Sequence, residues 1–141
     1  MAAKTLIIYT DGGSRGNPGP AAIGAVISLP EDEKTYAQPI GNTTNNIAEY
    51  SAVIFALKKA KQLLTKNGAK KTHVELRTDS ELLVKQLNAE YKIKDADLVP
   101  LFINVWNLRQ DFASVKFTHV LREKNKLTDK LVNRALDTLG I

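Results

Sequence analysis

The sequence predicts a mixed β-sheet with helices packed on its faces. Its first third reads as three strands in an antiparallel meander, and the rest alternates strand-like with helix-like segments in the order β-β-β-α-β-α-α-β-α. No internal repeat or low-complexity linker interrupts that order. At 141 residues and 43% hydrophobic, the chain is long enough for one real core and too short for two, so residues 1–141 are expected to form a single domain.

Residues 4–10, "KTLIIYT", are β-rich and nearly all apolar, and residues 21–29, "AAIGAVISL", read as a second strand across a glycine-rich turn. A third strand, "KTYAQPI", follows the polar "PEDE" turn, with Pro39 expected at an end or edge where a missing N–H is tolerated. Residues 45–64 switch to Ala, Leu and Lys, with Asn at the start as a cap, and the middle, "AVIFAL", is apolar on every side. Such a helix is buried against a sheet. "THVELRTDS" alternates with strand period, and "SELLVKQLN" is a short capped helix. After the polar "AEYKIKDADL" come a helix carrying the only tryptophan, Trp106, a strand "SVKFTHV", and a terminal helix "KLTDKLVNRALDTLG".

The absence of cysteine excludes a disulfide framework and cysteine-ligated zinc or iron–sulfur chemistry, and it fits a cytoplasmic protein. The opening "MAAKTLIIYTDGG" holds too short an apolar run for a signal segment or membrane span, so neither anchoring nor export is expected. A net charge of +5 favours a polyanionic partner such as nucleic acid.

Four acids stand out. Glu49 heads a helical stripe continued by Val53, Ala56 and Ala60, and Asp129 heads one continued by Val132, Leu136 and Leu139, so both are expected to point inward. Asp11 and Asp79 each close a strand, in "LIIYTD" and "VELRTD". If those strands are parallel neighbours, both acids emerge at one carboxyl-end edge of the sheet, where α/β folds place ligands. Singly, Asp11 also fits a turn, Asp79 an N-cap and Asp129 a first-turn acid favoured by the helix dipole. Together they form a cluster that a cation must neutralise, because a lone buried carboxylate costs several kcal/mol. Hard oxygen ligands without His or Cys select Mg²⁺ or Mn²⁺, and a site of three or four acids can hold two such ions roughly 4 Å apart for an in-line phosphodiester displacement.

The loop "GGSRGNPGP" lacks the Lys-Ser or Lys-Thr of a phosphate-binding loop, and a strand rather than a helix follows it. Its glycines instead permit close approach of another backbone, and Asn17 adds a side-chain donor and acceptor.

With these residues in place, the chain resembles type 1 ribonuclease H. The resemblance rests on "YTDGGSRGNPGPAAIG", "TTNNIAEYSAVIFAL", "LRTDSELLVKQLN" and "REKNKLTDKLVNRAL", in that order, and spans essentially the whole sequence. It implies a five-stranded mixed sheet, three strands antiparallel and two parallel, flanked by helices. It implies Mg²⁺-dependent cleavage of the RNA strand of RNA/DNA hybrids, leaving 5′-phosphate and 3′-hydroxyl ends. The implied catalytic and metal-binding acids are Asp11, Glu49, Asp79 and Asp129, with two Mg²⁺ per site and Mn²⁺ as a substitute. Contacts to RNA fall on Gly12, Gly13, Asn17, Asn45 and Asn46, with Ser80 and Glu81 beside the third acid, and Thr44 falls where the family grips a DNA-strand phosphate. Asn45 and Asn46 equally suit helix capping. The wide minor groove of a hybrid displays 2′-hydroxyls, so cleavage is expected to be nearly sequence-independent and salt-sensitive. The expected protein is a monomer without membrane association or an obligate protein partner.

Departures from the family pattern carry their own expectations. Where many members have a flexible loop with a histidine before the fourth acid, this chain runs "HVLREKNKLTD". His119 is assigned to strand packing, and Arg122, Glu123, Lys124 or water replaces the loop histidine, with slower turnover. A basic protrusion is reduced to Tyr91, Lys92 and Lys94, so duplex grip is expected to be weaker there. No hybrid-binding accessory domain is expected ahead of the fold. Lys58, Lys59, Lys61, Lys66, Lys70 and Lys71 read as a solvated helix end. Two rival functions remain at this point, a DNA-directed nuclease of the same superfamily and a non-catalytic hybrid-binding module.

Overall fold

The structure, a computed structural model, describes residues 4–140; residues 1–3 and 141, included in the sequence reading of the domain and its opening stretch, lie outside the described residues. The strands are β1 (Lys4–Ser14), β2 (Gly19–Ser28), β3 (Glu33–Thr43), β4 (Thr72–Thr78) and β5 (Ser114–His119). The α-helices are α1 (Asn45–Lys70), α2 (Glu81–Leu87), α3 (Val99–Arg109) and α4 (Lys126–Asp137). One sheet runs β3-β2-β1-β4-β5, antiparallel through β1, β2 and β3, with β4 parallel to β1 and β5 parallel to β4. This is the mixed five-stranded arrangement that the resemblance implies.

The glycine-rich turn is shorter than the sequence suggests. β1 continues through Asp11, Gly12, Gly13 and Ser14, which pair with Gly24, Ile23, Ala22 and Ala21 of β2. The reversal begins only at Arg15, whose N–H donates to the Pro20 carbonyl at 2.8 Å. Asp11 therefore lies within β1 rather than at its end. It stands instead at the end of the β1–β4 ladder, whose last pair is Tyr9 with Arg77; carrying that register two residues onward sets Asp11 beside Asp79.

Pro39 lies on the edge strand β3, as expected, next to a bulge between Ala21 and Ala22 of β2. The cap of α1 is Thr44, whose hydroxyl oxygen accepts the Ile47 N–H at 3.2 Å, so Asn45 already belongs to the first turn. The predicted end of this helix at residue 64 is where it breaks: Thr65 has φ 66°, and a further helical stretch runs on to Lys70. Ser80, not Asp79, caps α2 by accepting the Leu83 N–H.

The helices divide the core in two. On one face α1 packs with Leu6, Ile8, Ile27, Leu76 and Phe117 around Val53 and Leu57. The apolar middle of α1 is buried on both sides because α3 packs behind it through the buried Val105, leaving Trp106 half-exposed. On the other face α4 lies over β2 and β3 through Val132, Ala135 and Leu136, which meet Ala22. The lysines at the far end of α1 are largely exposed, and Lys61 pairs with Asp111 at 3.1 Å, consistent with a solvated helix end. Among the described residues no helix is long and apolar enough to cross a membrane.

Candidate active site

Two glycines bring two acid-bearing helices onto Asp11. A Cβ on Gly12 would lie 2.3 Å from the Ala48 carbonyl oxygen, so only glycine lets α1 cross β1 here, and Glu49 is the next residue of that helix. A Cβ on Gly24, the ladder partner of Asp11, would lie 2.7 Å from the Thr128 carbonyl oxygen, and Asp129 is the next residue of α4. The backbone that approaches "GG" is thus the protein's own helix. Gly13 differs, since a Cβ there meets only Asn45 Oδ1 at 3.8 Å and Val132 Cγ1 at 3.9 Å.

The outcome is a pocket of about 490 Å³ lined by Asp11, Gly12, Gly13, Ser14, Arg15, Asn45, Glu49, Asp79, Arg122, Asp129, Val132, Asn133 and Leu136. Carboxylate oxygens of Asp11, Glu49 and Asp79 lie within 4.8 Å of one another. Asp11 is 9% exposed, and its Oδ1 accepts the Gly12 N–H at 3.0 Å. Burial, then the charges of Asp79, Glu49 and Asp129, push its carboxyl up to about 8 despite that hydrogen bond. Glu49 is pushed up to about 7, chiefly by burial and further by Asp79, while a Ser80 hydrogen bond and the Arg122 charge pull it down. Two carboxyls, Asp11 and Glu49, that resist ionisation without a counter-charge in an all-oxygen group suit a hard divalent cation.

Asp129 corrects the sequence expectation. It lines the pocket but is exposed, because the buried stripe of α4 runs through Thr128, Leu131, Val132, Ala135 and Leu136, with Asp129 on its flank. Leu139, expected on the same inward stripe, is 47% exposed beyond the end of α4. Asp129 receives Asn133 Nδ2 at 3.5 Å on Oδ2 and at 3.1 Å on its main-chain carbonyl.

The expected substrate contacts fall in three places. Gly12, Gly13 and Asn45 line the acid pocket. Asn17 adjoins them, its Oδ1 accepting the Asn45 N–H at 3.0 Å, while Asn45 Oδ1 accepts the Ser14 N–H at 2.8 Å. Backbone N–H groups can be met only by the amide oxygen, so both side chains keep their NH₂ donors for another partner. Asn46 instead lines a separate groove of about 520 Å³ with Leu82, Gln86, Glu90, Tyr91, Lys92, Lys94, Asp95 and Leu98. Ser80 supports Glu49 and caps α2, Thr44 caps α1, and Glu81 is an exposed first-turn acid of α2 that lines neither the pocket nor the groove.

Sequence reasoning missed Ser14, Arg15 and Asn133. Arg15, two residues beyond Gly13, reaches across to Asp137 at 2.6 Å, and Asn133 lies one helical turn after Asp129, a spacing that sets the two on a shared face. Of the three replacements for the loop histidine, Arg122 lines the pocket, with Nε 3.9 Å from Asp79 Oδ2. His119 is exposed rather than packed: strand period sets it on the face of the buried Val115 and Phe117, but the cover over that face ends before this last residue of β5.

Comparison with known proteins places these features in a wider set. A family model described as reverse transcriptase-like matches residues 9–135. The bifunctional protein Rv2228c of Mycobacterium tuberculosis is 38% identical over 135 residues, covering 94% of this chain and 35% of that protein. The chain thus spans about a third of the length of the first curated relatives it matches. A ribonuclease H of Clostridium botulinum is 32% identical, covering 98% of this chain and 99% of that one. The crystal structure of LC11-RNase H1, isolated from compost, in complex with an RNA/DNA hybrid matches with a TM-score of 0.87 at 41% identity, covering 96% of this chain and 99% of that chain.

Proposed function

The chain belongs to the ribonuclease H family, and from that membership and its acid pocket we propose that it is a divalent-metal-dependent endonuclease hydrolysing the RNA strand of RNA/DNA hybrids. The observation that carries this reading is the convergence of Asp11, Glu49 and Asp79, with oxygens within 4.8 Å of one another. A relative with a TM-score of 0.87 binds an RNA/DNA hybrid, which supports the substrate class.

Asp11, Glu49, Asp79 and Asp129 are the residues to hold two Mg²⁺ ions, with Mn²⁺ as a substitute. When bound, the ions supply activation of the attacking water and stabilisation of the leaving 3′-oxygen, giving 5′-phosphate and 3′-hydroxyl ends. The protein's own groups do the rest. Asn17 and Asn45 present amide donors beside the acids, suited to a ribose 2′-hydroxyl, and Gly13 leaves room for the backbone that carries it. Gly12 and Ser80 also serve this strand, and Glu81 extends it along α2. Asn46, Tyr91, Lys92 and Lys94 offer a second groove for the complementary strand, and Thr44 lies one residue from the asparagine pair. Arg122, with Nε 3.9 Å from Asp79 Oδ2, stabilises negative charge near that acid. Residues 1–141 act as one catalytic domain, cytoplasmic, monomeric and independent of membrane or obligate partner.

The reading is tested by cleaving a hybrid whose RNA strand carries a single 2′-deoxy substitution at a mapped site, with end analysis of the products. Loss of cleavage at that site and 5′-phosphate ends elsewhere are expected. Indifference to the 2′-group would transfer the activity to a DNA-directed nuclease, and hybrid binding without cleavage would leave a non-catalytic module.

A further inference from the structure

Asn125 immediately precedes α4 in the position of an N-cap, yet its side chain makes no capping bond. It is 2% exposed and turned inward. Its Nδ2 donates to the Thr10 carbonyl at 2.9 Å, and the Thr128 hydroxyl donates to its Oδ1 at 2.5 Å and to its main-chain carbonyl at 2.9 Å. That carbonyl also accepts the Asp129 N–H at 3.2 Å. One side chain therefore ties the residue before Asp11 to the residue before Asp129, across two elements far apart in sequence.

We propose that Asn125 is a positioning residue that sets the separation of Asp129 from Asp11, an inference that rests on the hydrolase reading above. Asp129 needs such a device more than its companions. Asp11 is carried by a strand paired with β2, and Glu49 by a long helix seated on Gly12. Asp129 is exposed in the first turn of α4, and the Gly24 contact fixes how closely that helix approaches the sheet. The packing of Val132, Ala135 and Leu136 on the sheet holds the body of α4 and leaves its first turn to be fixed separately. The Asn125 bonds fix that turn, because Thr128 belongs to α4 while Thr10 is nearly fully buried in the paired strand β1 and gives a rigid anchor.

A merely structural Asn125 would change stability alone, whereas a positioning Asn125 acts through Asp129. The test is a double-mutant cycle of Asn125→Ala and Asp129→Asn, read by kcat and KM on a labelled RNA/DNA hybrid and by calorimetric titration with Mg²⁺. Asn125→Ala is expected to lower kcat or weaken Mg²⁺ binding ~10-fold or more with KM for the hybrid within about twofold, and to cost less than about twofold once Asp129→Asn is present. Thr128→Val, which removes only the hydroxyl link, is expected to give a weaker form of the same pattern and decides the matter should Asn125→Ala fail to fold. Equal losses with and without Asp129→Asn would overturn the proposal. So would a lowered melting temperature with Mg²⁺ binding and kcat intact. If the unaltered protein does not cleave the hybrid, the hydrolase reading falls, and the Mg²⁺ titrations then decide: unchanged binding in Asn125→Ala overturns the proposal, and weakened binding that Asp129→Asn abolishes sustains it.

Discussion

The two helix contacts that build the acid pocket share a device and differ in result. Gly12 admits the backbone of α1 and Gly24 that of α4, each just before an acid. Glu49 arrives half-buried among carboxylates, while Asp129 arrives exposed at the rim. The difference follows from what lies behind each helix. α1 has apolar neighbours in both the sheet and α3, so it is seated deeply and carries its acid inward. α4 covers the sheet with a single stripe and leaves its other side to solvent. The three inner acids thus converge within the pocket, and the fourth stands at its rim.

The largest effect that sharpens this contrast is the loss of an inner acid. Asp11→Asn is expected to reduce hybrid cleavage ~1,000-fold or more, and Asp129→Asn roughly 10- to 100-fold, in rate assays under saturating Mg²⁺. Equal losses would break the distinction between inner acids and rim.

Next comes stability without metal. The folded-state values of Asp11, about 8, and Glu49, about 7, lie above their ordinary 3.8 and 4.5, so folding favours the protonated forms. Metal-free stability is therefore greatest at low pH within this window, and it falls as pH rises from about 4 through about 8. Urea unfolding at pH 5.5 and 8.5 in chelator checks this, with Asp11→Asn expected to recover roughly 1–3 kcal/mol at the higher pH and Asp129→Asn much less.

The glycines give a smaller and local effect. Gly12→Ala forces a Cβ against the Ala48 carbonyl and is expected to cost roughly 1–3 kcal/mol in thermal or urea unfolding, whereas Gly13→Ala stays within about 0.5 kcal/mol. The smallest expected change is a several-fold fall in kcat for Arg122→Ala, fading as salt rises, because that guanidinium is 90% exposed and 3.9 Å from Asp79.

Much of this was legible in the residues. Apolar strand runs and the Ala-, Leu- and Lys-rich stretch after Asn45 located the main elements, since each carries its period in local sequence. The inward aim of Glu49 was legible because its stripe through Val53, Ala56 and Ala60 is unbroken, and all three are buried. The aim of Asp129 was misread, because Val132 and Leu136 lie on its side of a stripe centred one position away, and a flank differs from a centre only by packing. The end of β1 was placed too early, before "GGS", because glycine preference does not reveal whether space is needed for chain reversal or for a crossing helix. Asn125 passed unnoticed because both its partners come from tertiary contact or a neighbouring turn, with no pattern in sequence to mark it.

The most direct measurement is incubation of the protein with a labelled RNA/DNA hybrid, with and without Mg²⁺, beside single-stranded RNA and duplex DNA. The account predicts cleavage of the hybrid's RNA strand that requires Mg²⁺ and disappears in Asp11→Asn. Absence of metal-dependent cleavage of the hybrid, or equal cleavage of duplex DNA, would contradict it.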